Sequence, residues 1–307
     1  MLKNKLETYY KNLEVVITGG AGFIGSHIAQ KLVALGANVT IIDNLSTGKL
    51  ENIETIINKI NFIKSDITNL EACIEITKNK KMIFHLAAFV SVPNSMNNPN
   101  ECNKINVLGT FNLLEACRIN KIEKFIFSSS SAVYGKMVTS CSEDDLTDPI
   151  SIYGFSKLIG EQYCQKYNKL FNIQTLCLRY FNVYGPRQNP NGEYAGVVAK
   201  FMDCIKNNKP ITIYGDGLQT RDYISVHDVA QANINLAMLS NEHLNGQPVN
   251  IATGNSITLL ELINNLKQES ESFCSEVKFL PARNGDIAHS QANCKKLLVY
   301  NKLLELT

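Results

Sequence analysis

An apolar run that leads directly into three spaced glycines constrains this chain more than any other feature. Val15-Val16-Ile17-Thr18 is followed by Gly19-Gly20-Ala21-Gly22-Phe23-Ile24-Gly25, and an apolar helical segment continues from there. In such a strand–loop–helix unit the first glycine permits a tight turn, and the second lets the backbone approach a pyrophosphate. The third lets the helix pack closely on the strand. The motif predicts a dinucleotide site in which Gly19, Gly22 and Gly25 take these roles.

The next apolar run supports this interpretation. The run Asn38 to Ile42 ends at Asp43. This position is ~20 residues after the glycine loop, where an acid binds a ribose 2′-hydroxyl. Because a carboxylate repels a 2′-phosphate, the expected cofactor is NAD rather than NADP. The alternative is a glycine-rich turn in an unrelated α/β protein, and the position of Asp43 disfavours it.

Short apolar runs alternate with helical segments through the first part of the chain. This alternation is typical of a parallel sheet covered on both faces, so we expect an α/β fold with a doubly wound parallel (Rossmann) sheet and a smaller C-terminal α/β substrate lobe. The runs predicted as strands after Asp43 are 60–63, 82–86, 124–127, 174–178, 211–214 and 248–251, and the predicted helices include 107–120 and 156–171.

The predicted boundaries follow a change of rhythm after Arg179, where a long Gly/Pro/Asn-rich loop begins at Tyr184. Long loops in compact domains are usually functional. We assign 13–180 plus 222–247 to the dinucleotide-binding domain and 181–221 plus 248–307 to the substrate lobe, with 1–12 as an N-terminal extension.

Composition excludes several classes of partner. The formal net charge is +2, with the basic residues scattered, which disfavours nucleic acid or an anionic membrane as a partner. Residues 1–12 are too polar for a signal peptide, and no run reaches the ~18 apolar residues of a membrane span, so a cytoplasmic protein is expected. The nine cysteines include no Cys-x-x-Cys pair and the five histidines lack ligand spacing, which predicts reduced thiols and no metal.

A second motif supplies a possible acid/base pair. Tyr153 and Lys157 are four residues apart, on one face of a predicted helix. A close ammonium, together with a positive nicotinamide ring, would lower the phenol pKa from about 10 toward neutrality. The alternative is a surface pair of small energetic value. The run Phe125-Ile126-Phe127 disfavours that alternative, because it leads into four serines, Ser128 to Ser131, at the strand end where α/β sheets bind ligands.

With these motifs the chain resembles the extended short-chain dehydrogenase/reductase superfamily, and within it the NAD-dependent UDP-hexose 4-epimerases. The resemblance extends from Leu13 to about Lys296. Besides the glycine motif and Tyr-x-x-x-Lys, it rests on His85-Leu-Ala-Ala, Ser128-Ser-Ser-Ser-Ala-Val-Tyr-Gly, Arg179-Tyr-Phe-Asn-Val-Tyr-Gly-Pro-Arg187, Gly215-Asp-Gly-x-x-x-Arg221-Asp-Tyr and Pro281-Ala-Arg283-x-Gly-Asp286.

The resemblance implies a role for each residue that matches these motifs. Tyr153 would be the acid/base, Lys157 would bridge the ribose hydroxyls, and Ser130 would hydrogen-bond the sugar hydroxyl, a role that Ser129 or Ser131 could share. The implied cofactor-binding residues are Gly19, Gly22, Phe23, Ile24, Gly25, Asp43, Asn44, Ser46, Thr47, Gly48, Asp66, Ile67, Leu86, Ala87, Tyr153, Lys157 and Tyr180. The implied substrate-binding residues are Ser91, Ser130, Asn182, Val198, Arg221, Arg283, Asp286 and Ser290.

The resemblance also bears on the reaction. Related dehydratases and decarboxylases place acidic residues directly after the serine, whereas this chain has Ser131 and Ala132. Without an acid there, β-elimination has no obvious proton donor, and C4 epimerisation is expected. Arg221 and Arg283 would hold a diphosphate through their guanidinium forks. Their alternative is two surface ion pairs, with Asp222 and Asp286. If the arginines instead hold the diphosphate, Asp286 would hold either a ribose or an arginine.

Ser290 bears on the choice of sugar. It falls where glucose-restricted epimerases carry a bulky tyrosine, so a small side chain leaves room for a 2-acetamido group. We expect interconversion of UDP-N-acetylglucosamine and UDP-N-acetylgalactosamine, with Ser290 as an indifferent loop serine the alternative. UDP-glucose or UDP-glucuronate 4-epimerisation, net reduction and a non-catalytic NAD-binding scaffold remain the rival functions. The resemblance implies a homodimer formed through helices 107–120 and 156–171, and residues 295–307 depart from the family pattern.

Overall fold

The structure is a computed structural model that describes residues 2–136, 140–190, 196–268, 276–282 and 288–306. The helices are α1 Leu2–Tyr10, α2 Phe23–Ala34, α3 Leu70–Ile76, α4 Val92–Asn97, α5 Pro99–Asn103, α6 Gly109–Asn120, α7 Ile152–Phe171, α8 Val197–Lys206, α9 Val226–Leu236, α10 Leu259–Gln268 and α11 Lys295–Leu306. The strands are β1 Glu14–Thr18, β2 Asn38–Asp43, β3 Asn61–Lys64, β4 Met82–His85, β5 Lys124–Ser130, β6 Gln174–Tyr180, β7 Asn182–Tyr184, β8 Ile211–Tyr214, β9 Thr220–Ser225, β10 Asn245–Ile251, β11 Ser256–Thr258, β12 Val277–Leu280 and β13 His289–Ser290.

A parallel sheet organises the larger part of the molecule, in the order β10-β6-β5-β4-β1-β2-β3 within the described residues. One face carries a core to which β1, α2, α9 and α11 contribute, and the other carries a core that includes residues of α6 and α7. The strands are apolar because both faces of the sheet are covered. The predicted doubly wound sheet is confirmed.

Strand β10 and the last helix, α11, belong with this sheet and not with the smaller lobe. The predicted boundary placed 248–307 in the substrate lobe, but β10 pairs in parallel with β6. Leu297, Tyr300 and Leu304 of α11 are buried in the same core as β1. That boundary is wrong for these two elements, because β10 is buried in the sheet and α11 covers one of its faces.

The N-terminal residues also pack on the large sheet. Leu6 and Tyr10 of α1 are buried in its core, and the Tyr10 hydroxyl donates to the Ile234 carbonyl at 2.8 Å. The predicted extension 1–12 is therefore an integral part of the larger unit.

The smaller lobe is built around a separate core. It includes Val198 and Phe201 of α8, Ile211 and Ile213 of β8, and Leu259 at the start of α10. β8 pairs with β12, and β9 pairs with β7, β11 and β13. The predicted strand 211–214 is present.

Two predicted elements begin earlier or extend further than their patterns indicated. Helix α7 starts at Ile152 because the Ser151 hydroxyl accepts the Gly154 N–H at 3.0 Å and caps it. Strand β5 continues to Ser130, so the serine cluster lies within the strand end. A π-helical segment, 104–108, precedes α6.

Among the described residues, no helix is long and apolar enough to cross a membrane. In the same ranges, no group of three or more His, Cys, Asp or Glu side chains could hold a metal ion. The eight described cysteines are free thiols, and Cys274 lies outside the described residues.

Candidate active site

The glycine motif forms a loop between β1 and α2 that no larger residue could form without strain. Gly19 has φ +67°, and a Cβ there would lie 2.7 Å from the Ala87 nitrogen. A Cβ on Gly25 would lie 2.2 Å from the Gly19 carbonyl oxygen. The predicted tight turn and close packing are both present, although Gly25 packs against the loop itself. Helix α2 starts at Phe23 without a side-chain cap, which is the arrangement that binds anions at helix N-termini.

Asp43 lies beside this loop at the end of β2. Its carboxylate accepts the Ala21 N–H at 3.0 Å and the Leu45 N–H at 2.8 Å. A Cβ on Gly48 would lie 2.7 Å from an Asp43 carboxylate oxygen, so the loop after β2 also needs a glycine. The position and orientation of Asp43 fit the predicted contact with a ribose.

The neighbouring strand end adds a second acid. Asp66, which follows β3, accepts the Asn44 side-chain amide at 3.0 Å and the Thr68 N–H at 2.8 Å. Burial raises the pKa of Asp66, but these hydrogen bonds outweigh it and hold the pKa below its usual value. Ile67 beside it is buried, while Ser46 and Thr47 are exposed. Together with the uncapped helix, these residues fit a dinucleotide, and their individual binding roles remain predictions.

A buried histidine, His85, connects strand β1 to helix α6 beside the glycine loop. His85 Nδ1 lies 2.7 Å from the Thr18 hydroxyl, and its Nε2 lies 2.9 Å from the Thr110 hydroxyl. Because Thr110 donates its own proton to the Asn106 carbonyl, it accepts from Nε2–H. Burial, and then the charge of Lys157, hold the His85 pKa well below its usual value. Neutral His85 thus fixes β1 to α6.

Leu86 and Ala87 follow His85 and also lie beside the glycine loop. Their N–H groups both donate to the Thr18 hydroxyl at 3.2 Å. Since Ala87 also contacts Gly19, the His-Leu-Ala-Ala motif lies directly against the glycine loop.

Ser130, Tyr153 and Lys157 come together at the carboxyl end of β5. The Tyr153 side chain lies close enough to Ser130 for the Ser130 hydroxyl to lower the Tyr153 pKa, and the same hydroxyl accepts the Ala132 N–H at 3.2 Å. Lys157 donates to the Ser128 carbonyl at 2.7 Å, and its ammonium lies 5.9 Å from the centre of the Tyr153 ring. The three predicted catalytic residues therefore form one cluster.

The electrostatics of this cluster differ from the prediction. Burial raises the pKa of Tyr153, and the interaction with Ser130 only partly opposes it. Burial also lowers the pKa of Lys157 to about 8. The predicted lowering of the phenol pKa by the lysine is wrong for the protein groups by themselves, because desolvation dominates both side chains.

Tyr180 and Ser129 have hydrogen-bond partners inside the protein. The Tyr180 hydroxyl lies 3.0 Å from the Ser128 hydroxyl and donates to Asn233 at 2.9 Å, and its contact with a dinucleotide stays a prediction. Ser129 is 3% exposed and donates to Glu161 at 2.5 Å. Of the two serines proposed to assist Ser130, only Ser131 is partly exposed.

A cavity of about 310 Å³ lies in the smaller lobe, beside the ends of β7 and β9. Two buried polar atoms of its lining residues, Gln188 Oε1 and the Tyr223 hydroxyl, have no hydrogen-bond partner in the described part of the chain. Buried polar atoms are normally satisfied, so two unpaired polar atoms on residues that line a cavity indicate a site for a polar ligand. The lining residues are Asn182, Val183, Gln188, Gly196, Val197, Val198, Phe201, Thr212, Ile213, Tyr214, Gln219, Arg221, Tyr223 and Leu259.

Three of the predicted substrate residues line this cavity, namely Asn182, Val198 and Arg221. The Asn182 amide donates to the Asp222 carbonyl at 3.0 Å. The Arg221 guanidinium donates to the Thr220 carbonyl at 2.8 Å. The Asp222 carboxylate accepts from Thr253, Gly254 and Ala292, so it has an internal structural role that the proposed surface ion pair did not include.

The other predicted substrate residues are dispersed or outside the described structure. Ser290 is buried and pairs with Arg221 across β13 and β9. Ser91 caps α4 by accepting the Asn94 N–H at 3.1 Å. Arg283 and Asp286 lie outside the described residues.

Sequence reasoning missed several residues that shape the site. Gln188 and Tyr223 reach the cavity from the predicted functional loop and from the motif at Arg221, and both motifs could have indicated them. Ser95 of α4 accepts the Tyr153 N–H at 3.0 Å. Glu161 follows Lys157 by four residues, one further turn along the same helix face, and this spacing was the signal available for it.

Comparisons with known proteins agree with this geometry. The NAD dependent epimerase/dehydratase family matches residues 15–252. A putative UDP-glucose 4-epimerase of Methanocaldococcus jannaschii is 42% identical over 286 residues, which is 92% of this chain and 90% of that protein.

Two solved structures have the same fold over nearly their whole length. One is the UDP-N-acetylglucosamine 4-epimerase of Methanobrevibacter ruminantium in complex with UDP-N-acetylmuramic acid, with a TM-score of 0.89, 40% identity and 96% of each chain covered. The other is the UDP-glucose 4-epimerase of Thermotoga maritima with UDP-glucose. It has a TM-score of 0.85 and 38% identity, and covers 92% of this chain and 90% of that one.

Proposed function

Since the chain belongs to the NAD-dependent epimerase/dehydratase family and is therefore an enzyme, we propose that it epimerises C4 of a UDP-hexose, interconverting UDP-N-acetylglucosamine and UDP-N-acetylgalactosamine. One observation carries the proposal. Tyr153 and Lys157 lie together beside the serines at the end of β5, on the sheet edge that also carries the glycine loop. The family resemblance assigns the cavity of the smaller lobe to the nucleotide of the substrate.

Each of the three residues Ser130, Tyr153 and Lys157 has a separate role in the proposed reaction. When bound, NAD supplies a reversible hydride acceptor. Ser130 hydrogen-bonds the C4 hydroxyl, and Tyr153 removes its proton and later returns it. The buried Lys157 lowers the cost of a phenolate beside it whenever it is protonated. General acid–base catalysis of this kind needs the phenol within hydrogen-bond reach of the hydroxyl that Ser130 holds.

The turn after Ser130 favours epimerisation over elimination. Ser131 and Ala132 form a short 3-10 segment there with Val133, and neither carries a carboxylic acid that could protonate a leaving hydroxyl. Glu161, the acid on the helix beside it, is 1% exposed and bonded to Arg179. No acid among these residues is available for chemistry beyond C4, so a keto sugar formed at C4 is reduced again.

The nucleotide is assigned to the cavity of the smaller lobe. Asn182 and Arg221 are placed to meet a diphosphate, and the unpaired Gln188 Oε1 and Tyr223 hydroxyl offer hydrogen bonds to a ribose or a base. Burial raises the pKa of Tyr223, so its hydroxyl stays protonated and can donate.

The choice of sugar rests on Ser290. Ser290 is buried next to Arg221 in the sheet, and the family resemblance places it where glucose-restricted epimerases carry a bulky tyrosine, so we infer that its small side chain leaves room for a 2-acetamido group. We expect Ser290→Tyr to lower conversion of UDP-N-acetylglucosamine by about 100-fold, as a steric clash costing about 3 kcal/mol would, and to leave conversion of UDP-glucose within about threefold. A Ser290→Ala control, which keeps the space, should convert both sugars as the parent does.

The function is tested by incubating the purified protein with UDP-N-acetylglucosamine, UDP-glucose or UDP-glucuronate without added cofactor, and separating the C4 epimers by chromatography. Conversion of the acetamido sugar supports the proposal. Conversion of UDP-glucose or UDP-glucuronate alone would keep the mechanism and refute the sugar assignment. Consumption of added NADH would indicate a net reductase, and no conversion of any of the three would contradict the proposed epimerase.

We also propose that the enzyme is a homodimer formed through α6 and α7. Ile119 of α6 and Phe155, Leu170 and Phe171 of α7 are large apolar residues that are about half exposed or more. Pairing with a second copy would bury these side chains and stabilise the pair. Light scattering at micromolar concentration should give twice the chain mass, and Leu170→Lys should shift it to the mass of one chain.

A further inference from the structure

Helix α7 carries a third polar side chain, Glu161, one turn after Lys157. Tyr153, Lys157 and Glu161 therefore share one face of the helix. Each meets a different serine of the β5 end. Tyr153 interacts with Ser130, and Lys157 donates to the Ser128 carbonyl. Glu161 accepts a hydrogen bond from the Ser129 hydroxyl at 2.5 Å.

Glu161 is held by a buried guanidinium. Arg179 Nε donates to Glu161 Oε1 at 2.9 Å, and a terminal nitrogen donates to Oε2 at 2.8 Å. Both residues are at most 3% exposed. A fork of this geometry fixes the carboxylate in one orientation, and a buried ion pair is costly to break by removing one partner.

Arg179 joins this pair to the turn that follows Ser130. It is the register neighbour of Ser129 across β6 and β5. Its guanidinium lies 4.7 Å from the centre of the Tyr134 ring, and the Tyr134 hydroxyl donates to Asn250 at 2.7 Å. The ion pair therefore contacts the strand on one side of Ser130 and the turn on the other.

We propose that Glu161 and Arg179 are positioning residues that act through Ser129 to hold the Ser130 hydroxyl against Tyr153. This inference rests on the proposed function, in which Ser130 and Tyr153 meet the reacting hydroxyl. Because Ser129 directly precedes Ser130, fixing its side chain to Glu161 restricts the backbone from which Ser130 projects. A misplacement of about 1 Å at such a contact costs about 100-fold in rate.

The sharpest test is Ser129→Ala, which leaves the ion pair intact and removes only its link to the strand. The matched control is Thr175→Val. The Thr175 hydroxyl is buried and donates to the Cys164 carbonyl of α7 at 2.9 Å, so it also joins the sheet to α7, but it lies at the far end of β6. Both variants lose one buried hydrogen bond between sheet and helix, and their Tm values should fall by similar amounts.

The two variants should differ in catalysis. We expect Ser129→Ala to lower kcat by about 10- to 100-fold with KM for the UDP-sugar within about twofold, and Thr175→Val to leave both unchanged. Equal losses of kcat in the two variants, or no loss in Ser129→Ala, would overturn the inference.

A second readout needs no turnover and separates this inference from the proposed function. Ultraviolet titration of phenolate absorbance, taken as the difference between each protein and its Tyr153→Phe counterpart, reports Tyr153 alone. The interaction with Ser130 lowers the Tyr153 pKa, so Ser129→Ala and Glu161→Gln should move this titration to higher pH, and Thr175→Val should not. An unmoved titration in Ser129→Ala would refute the positioning role even where every variant is inactive as an epimerase.

Discussion

The carboxyl edge of the large sheet and the cavity of the smaller lobe differ in the number of hydrogen-bond partners that the protein supplies to their buried polar groups. At the edge, His85, Asp43 and Glu161 each have two or more internal hydrogen-bond partners. In the cavity, Gln188 Oε1 and the Tyr223 hydroxyl have none among the described residues. The edge is thus organised by the protein itself, whereas the cavity is completed by its ligand. Preorganisation of this kind suits chemistry, and the cavity can change its ligand without disturbing the edge.

The largest expected effect tests whether the two regions are independent. Tyr153→Phe removes the phenol that interacts with Ser130 and should lower kcat by about 1000-fold, within the range of a lost general acid–base group. Since the cavity does not include Tyr153, the Kd for UDP measured by calorimetry should stay within about twofold. A weakening of UDP binding to match the loss of rate would show that the two regions are not separate.

The next prediction concerns the electrostatics of the edge. Burial lowers the Lys157 pKa to about 8 in the folded protein, against about 10.4 in an unfolded chain. Between these values the unfolded state binds more protons, so the free energy of unfolding gains up to ~1.4 kcal/mol per pH unit from Lys157 as pH rises. This gain begins at about pH 8 and ends above pH 10.

Lys157→Met removes the titrating group and should lack this gain. Urea unfolding of cofactor-stripped protein at pH 7.5 and 9.5, values chosen on either side of the onset, would measure it as a difference between the parent and the variant. Parallel pH dependence in the two proteins would mean that Lys157 keeps an ordinary pKa.

The smallest expected effect contrasts one hydroxyl from each region. Tyr223→Phe removes a hydroxyl with no partner in the described chain and should leave Tm unchanged, while weakening UDP binding by about tenfold, the value of one hydrogen bond of about 1.4 kcal/mol. Tyr10→Phe removes a hydroxyl bonded to the Ile234 carbonyl. It should lower the free energy of unfolding by about 1 kcal/mol and leave UDP binding unchanged. Thermal unfolding and calorimetry on both variants decide this, and the reverse pattern would contradict the contrast.

Much of the cofactor edge was predictable because its signals are local. Gly19, Gly25 and Asp43 are recognised by spacing within one strand–helix–strand unit, and the geometry found for them follows from the absence of a Cβ and the end of a strand. Tyr153 and Lys157 are four residues apart on one helix, so their common face follows from helical periodicity alone.

The cavity and the lobe boundary were less predictable because they depend on residues distant in the chain. Pro248 to Ile251 looks the same in sequence whether it pairs in the small lobe or with β6, and only the packed sheet decides. The partners that Gln188 and Tyr223 lack are likewise a property of packing. Assignment of these residues needed the tertiary structure.

The sequence by itself determined the doubly wound sheet, the dinucleotide loop and the common helix face of Tyr153 and Lys157, since periodicity and short spacings encode them. The family resemblance added Ser130 to this pair. Only the tertiary structure decided that α11 covers the large sheet, that burial raises the Tyr153 pKa, and that Glu161 bonds both Ser129 and Arg179. The physical reason is that desolvation and buried ion pairing depend on every group packed around a side chain. Those groups come from segments that the chain brings together only on folding.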